Sequence, residues 1–97
     1  MNNKNIVIFK DHAVIRMFER DIAKKEIIEV IEQGEVIERY EDDYPYPSCL
    51  IFKMVNNKPI HIVVANNGSE NQKIIVTVYI PDNTNFEPDF KTRKIKL

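Results

Sequence analysis

The sequence predicts an α+β fold, with a short N-terminal strand and two helices packed on one face of a mostly antiparallel, four- to five-stranded sheet. Three observations carry this. Apolar residues recur with helical period over residues 12–33 and alternate with period two over the last strands. The strand-like runs in the second half are joined by short polar connections, which make sequential strands antiparallel neighbours.

Residues 5–9 (Asn-Ile-Val-Ile-Phe) are β-branched and aromatic and read as the first strand. Asp11 is placed as an N-cap for a helix over about 12–21. Its Ala13, Val14, Met17 and Phe18 form one face, opposite His12, Arg16, Glu19 and Arg20. A second helix over about 23–33 gathers Ala23, Ile27, Ile28, Val30 and Ile31 on its apolar side. Lys25, Glu26, Glu29 and Glu32 make its wet side, and Gly34 is expected to close it in a left-handed conformation. Beyond Gly34 the pattern turns extended. Strands are expected over 35–40, 48–55, 60–65 and 73–80. They are separated by the Pro-rich acidic loop 41–47, a tight turn at 56–59 and a polar loop at 66–72. Alternation puts Ile60, Ile62 and Val64 on the helix side with Ile74, Val76, Val78 and Ile80. It leaves His61, Val63, Lys73, Ile75, Thr77 and Tyr79 on a half-polar outer face.

The 97 residues suit one domain, with a core at about 5–82 and a basic C-terminal tail at about 86–97. No apolar run approaches the ~20 residues of a membrane helix, and no signal-peptide core is present, so a cytoplasmic protein is expected. Cys49 has no second cysteine to pair with and reads as a small buried thiol. A net charge of −1 argues against strong non-specific nucleic-acid binding, which needs clustered Lys and Arg. Acid gathers over 35–43, however, and Lys91, Arg93, Lys94 and Lys96 crowd the end.

The sequence lacks a phosphate-cradling glycine loop, a Cys/His zinc cluster and a nucleophile elbow, so no cofactor and no metal site is expected. Its candidates for chemistry are looser. His12, Arg16 and Arg20 lie along one helical stripe, where an imidazole can move a proton and guanidiniums can hold phosphate. The alternative is a solvated face on which Glu19 pairs with an arginine. His61, Thr77 and Tyr79 share the outer sheet face, either for acid–base work or as cross-strand packing partners. The C-terminal bases fit a phosphodiester backbone or a solubilising tail. Glu41, Asp42 and Asp43 offer oxygens to a cation but read foremost as a solvated acidic turn.

An ordered string of motifs adds a resemblance. It comprises His12-x-x-x-Arg16-Met17-x-x-Arg20, Gly34-Glu35-Val36-Ile37-Glu38-x-Tyr40, Asp43-x-Pro45-Tyr46-Pro47-Ser48, Pro59-x-His61-x-Val63-Val64-Ala65 and Thr77-Val78-Tyr79-x-Pro81-Asp82. Over about residues 11–93 the chain resembles a bacterial and archaeal domain-of-unknown-function family (number 4258), whose fold is similar to that of RelE-like toxins, shared with barnase- and colicin-like ribonucleases. The resemblance implies the toxin half of a toxin–antitoxin pair, acting as a metal-independent endoribonuclease. It implies His12, Arg16, Tyr79 and His61 as catalytic positions, with Arg20, Arg93 and Lys94 holding RNA phosphate. Expected partners are RNA, on a ribosome or as tRNA, a cognate antitoxin protein, and optionally a second copy in a homodimer; no membrane is expected. The slightly acidic balance departs from the basic character of such toxins. It keeps open a non-catalytic protein-binding or regulatory module of the same fold and, third, an enzyme on a small molecule.

Overall fold

A computed structural model describes residues 6–95. The expectations for Asn5 and Lys96 lie outside these residues. The chain runs β1 (Ile6–Phe9), α1 (Asp11–Glu19), α2 (Lys24–Gln33), β2 (Glu35–Tyr40), β3 (Ser48–Val55), β4 (Lys58–Asn67), a 3₁₀ turn (Gly68–Glu70) and β5 (Gln72–Tyr79). The five strands form one open sheet in the order β1-β5-β4-β3-β2. β1 joins β5 in parallel, and β2 through β5 are antiparallel neighbours. The α+β architecture is thus the expected one, with the single parallel pair supplied by β1.

Between β3 and β4, Asn56 and Asn57 both have positive φ (50° and 65°), the conformation a two-residue hairpin turn demands and asparagine tolerates. The helices cover one sheet face, α1 on β5 and α2 on β3 and β4. Ala13, Met17, Ile27 and Val30 meet Cys49, Ile51, Ile60, Ile62, Val64, Ile75 and Val78 in the inner core. Cys49 is buried as expected.

Helix details differ from the sequence reading for identifiable reasons. Asp11 is the first helical residue, and Lys10 takes the cap position without a side-chain bond. Only Ala13 and Met17 of α1 are buried; Val14 is exposed and Phe18 is 88% exposed, because α1 lies over one strand and buries a narrow stripe. Glu26, expected on the wet side of α2, is buried. Its carboxylate accepts the Ala23 N–H (2.9 Å), the Asn56 side-chain amide (2.9 Å) and the Lys58 ammonium (3.0 Å). The Ala23 bond, then those from Asn56 and Lys58, hold the Glu26 carboxyl below its ordinary range against the opposing effect of burial.

Gly34 is extended (φ −78°, ψ 172°), not left-handed. Its requirement is space: a Cβ there would stand 2.4 Å from the Val30 carbonyl oxygen and 2.7 Å from Ile51 Cγ2.

Two bulges set the faces of the sheet. In β5 the pairing steps from Val63↔Thr77 to Val64↔Ile75, so Val76 is an extra residue. In β2 it steps from Val36↔Ile51 to Glu38↔Leu50, so Ile37 is extra. The expected unbroken alternation of β5 therefore fails at Val76. Ile75 turns inward with Val64, while Ile74, opposite Ala65, turns outward; beyond the bulge, Val78 faces in and Thr77 and Tyr79 face out as expected.

Residues 85–94 are not a free tail. Glu87 N–H donates to Thr92 O (2.8 Å) and Lys94 N–H to Asn85 O (2.8 Å), and Phe86 is buried. Asp89 accepts the Lys91 and Thr92 backbone amides and the Thr92 hydroxyl, which bring its carboxyl down to about 2, the Thr92 amide foremost.

Gly34→Ala is expected to destabilise the fold by about 1–3 kcal/mol, the usual cost of overpacking. The urea midpoint should fall with an unchanged slope. Glu26→Gln is expected to cost stability at neutral pH and to flatten the acid limb. With a folded pKa below the ordinary 4.5, the wild-type contribution is full above that value and is lost as pH falls through the lowered one. Urea midpoints of both chains along a pH series check this.

Candidate functional site

Of the polar side chains the sequence singles out, His61, Thr77 and Tyr79 lie on the outer sheet face and His12 reaches Thr77 from α1; they fall into two groups. The first is closed by residues 85–94. His61 on β4 is fully buried, with Phe52, Tyr79 and Phe86 arranged edge-on around its ring. His61 Nε2 lies 2.6 Å from the Phe90 carbonyl oxygen, which can only accept. Nε2 therefore carries the proton in the neutral ring, and Nδ1 accepts from the Tyr79 hydroxyl at 3.2 Å. Phe90 itself has φ 61°, a left-handed backbone that is uncommon for a bulky residue and directs this carbonyl inward.

Arg93 lies over the Phe86 ring, 4.7 Å from its centroid, and donates through Nε and a terminal nitrogen to both Glu38 oxygens at 2.9 Å. The Tyr40 hydroxyl also donates to Glu38. These bonds, Arg93 first, hold the Glu38 carboxyl below its usual range. Burial, then the Glu38 carboxylate, pushes the Tyr40 phenol up to about 12. Burial likewise raises the Tyr79 phenol and lowers the His61 imidazole. Near neutral pH this half of the face thus presents protonated phenols, a neutral buried imidazole and an arginine matched to a carboxylate.

The second group is open. His12, in the first turn of α1, is exposed, and its Nε2 lies 3.1 Å from Thr77 Oγ1 across 65 residues of sequence. Thr77 and Tyr79 alternate onto the same face. His12, which the sequence groups with the α1 stripe, therefore joins the candidates on the sheet. Arg16 donates to Glu19 at 2.9 Å, the pairing weighed as the alternative, and Arg20 is exposed at the end of α1. Arg93 is held at β2, beyond β4 and β3 from β5, so the cations do not form one stripe. Lys94 is fixed through its backbone to Asn85.

Beside the His12–Thr77 pair lies a mostly apolar pocket of about 280 Å³. Val63 and Ala65 line its floor, and Tyr44, Tyr46, Asp43 and Lys10 line its sides. Sequence reading missed it. The available signal was the aromatic–proline alternation Tyr44-Pro45-Tyr46-Pro47, but the loop could be placed over the sheet only once Val76 turned outward. A larger hollow of about 600 Å³ lies beside Phe18 and Ile22, on the other side of the protein. Among the described residues no group of three or more His, Cys, Asp and Glu side chains is placed to hold a metal, and no helix is long and apolar enough to cross a membrane.

Residues 9–80 match the model of a family described as Domain of unknown function (DUF4258). The chain belongs to this family. His12, Arg16, Arg20, His61, Thr77 and Tyr79 lie within the matched DUF4258 segment, and Arg93 and Lys94 lie beyond it. No curated protein and no solved structure matches the chain.

His61→Leu is expected to lower stability at about pH 7.5 by about 1–3 kcal/mol, because the Tyr79 hydroxyl and the Phe90 carbonyl lose their partner. In the wild type, a folded His61 pKa below the ordinary 6.5 makes its contribution full above that value and lost as pH falls through the lowered one. Urea midpoints between about pH 7.5 and about pH 5 should therefore fall more steeply for the wild type than for His61→Leu.

Proposed function

We propose that this protein is a metal-independent endoribonuclease whose reacting groups lie along His12, Thr77 and Tyr79. The observation that carries the reading is the 3.1 Å contact between the exposed His12 imidazole and the Thr77 hydroxyl on the open sheet face. Cleavage of RNA without a metal needs a base for the 2′-hydroxyl, cations for the charge developing on phosphorus and an acid for the leaving 5′-oxygen. His12 takes the 2′-proton, and the 2′-oxygen attacks phosphorus as the P–O5′ bond breaks. The products are a 2′,3′-cyclic phosphate and a 5′-hydroxyl. Tyr79, kept protonated by burial, turns its hydroxyl proton from His61 Nδ1 to the leaving oxygen, and His61 acts on it as a positioning residue. Arg16 and Arg20 meet the phosphates; the exposed Arg16–Glu19 pair is weak enough for phosphate to replace the carboxylate. Arg93 and Lys94 extend the RNA contact. The RelE-like fold, a cellular role as toxin, and RNA presented on a ribosome or as tRNA belong to this same proposal.

A second reading is a protein-binding module of the same fold. It is favoured by the exposed apolar stripe Val14, Ile15 and Phe18 on α1 (45%, 56% and 88% exposed) and by the scattered cations. Within the toxin reading, the same stripe is the surface for a cognate antitoxin.

Purified protein is expected to cut a single-stranded RNA in excess chelator, leaving 2′,3′-cyclic phosphate ends, and to spare the same sequence made of DNA. His12→Ala should slow cleavage at least about 100-fold, the usual contribution of a general base. An intact RNA with well-folded wild-type protein, or an unchanged rate in His12→Ala, overturns the nuclease reading and leaves the binding module.

A further inference from the structure

We infer that the pocket formed by the 41–47 loop and the sheet is a nucleobase site, selective for guanine, that sets where RNA is cut. The inference rests on the nuclease reading for its role in cleavage but stands on the pocket's own geometry. Its floor, Val63, Ala65 and Ile74, is apolar, and Tyr44 and Tyr46 line it from the loop. Tyr44 is 95% exposed, which leaves the faces of its ring accessible to a base. Aromatic rings on an apolar platform bind bases by stacking, which every base allows. At about 280 Å³ the pocket falls just below the ~300–1,000 Å³ of drug-sized sites and suits one planar ring system.

Stacking alone does not choose among bases; edge contacts do. Asp43 and Lys10 both line the pocket. Guanine is the base with two adjacent donors, N1–H and the N2 amine, for a single carboxylate, and its O6 and N7 accept from an ammonium. Asp43 can meet the first pair and Lys10 the second. The Ser48 hydroxyl donates to Asp43 from the floor and fixes the direction of the carboxylate.

The pocket also adjoins the proposed chemistry. Lys10 precedes His12 by two residues, and Val63 on the floor pairs across the sheet with Thr77. A base seated on Val63 therefore brings its own sugar and phosphate towards the His12–Thr77 pair.

The test separates this inference from the nuclease reading by measuring binding apart from cleavage. The four nucleoside 3′-monophosphates are titrated into the full chain, wild type and His12→Ala, while the methyl signals of Val63, Ala65, Ile74 and Val76 are followed by NMR. Guanosine monophosphate is expected to move these signals at the lowest concentration in both chains. Tyr44→Ala should weaken all four nucleotides about tenfold, and Asp43→Asn should remove about tenfold of the guanine preference. In the RNA assay, wild-type cuts should cluster at guanosines and spread to other bases in Asp43→Asn. Selective shifts in a chain that does not cut RNA support the base site and sink only the nuclease reading. Unmoved pocket methyls, or equal response to all four bases, overturn the inference even when RNA is cut.

Discussion

One extra residue in β5 decides what the outer face of this protein can present. An antiparallel ladder alternates side chains with period two, so inserting Val76 opposite the Val63–Val64 step inverts every position on one side of it. The inversion lets Ile75 and Val78, three apart, both enter the core, and Ile74 and Thr77 both leave it. Without it, an Ile75 that faces the helices would bring Thr77 and Tyr79 inward with it. The bulge at Ile37 does the same for β2, sending Glu38 to the face it shares with Leu50 while Val36 pairs with inward Ile51. Both strands flank the β3–β4 hairpin, which is regular over its eight pairs, so a rigid centre carries two adjusted flanks.

The two halves of the outer face then diverge through their cover. Over one half, residues 85–94 exclude water, and the polar groups beneath satisfy one another: phenol to imidazole, imidazole to carbonyl, guanidinium to carboxylate. Desolvation there favours neutral forms, which suits groups that hold geometry or give up a proton late. Over the other half the described residues lay down only the side of the 41–47 loop, and His12 and Thr77 stay within reach of solvent.

The strands, both helices and the Asn56-Asn57 turn were legible in the sequence because period and turn chemistry are local. Helix-side packing of Ile60, Ile62 and Val64 followed from alternation alone. What was not legible depended on partners far along the chain. Glu26 reads as solvent-facing on any helical wheel; only Lys58 and Asn56, some thirty residues on, make its burial tolerable. Gly34 matches a helix-closing glycine in sequence, yet its role is set by the Val30 carbonyl together with Ile51 on β3. The bulge at Val76 has no mark within an unbroken Ile-Ile-Val-Thr-Val-Tyr run. The candidate site was half legible: its residue types were found, but His12 was grouped with its helix neighbours and not with Thr77, and the loop pocket went unseen.

The closing segment has a consequence for where this domain ends. The family match stops at residue 80, yet Phe86 beyond it is 2% exposed and seats against His61 inside the match. A chain cut at the family boundary would uncover Phe52, His61 and Tyr79 together, leaving an adhesive aromatic patch where the intact fold has a roof. The family's shared segment and the smallest unit with a closed core are therefore different objects in this protein.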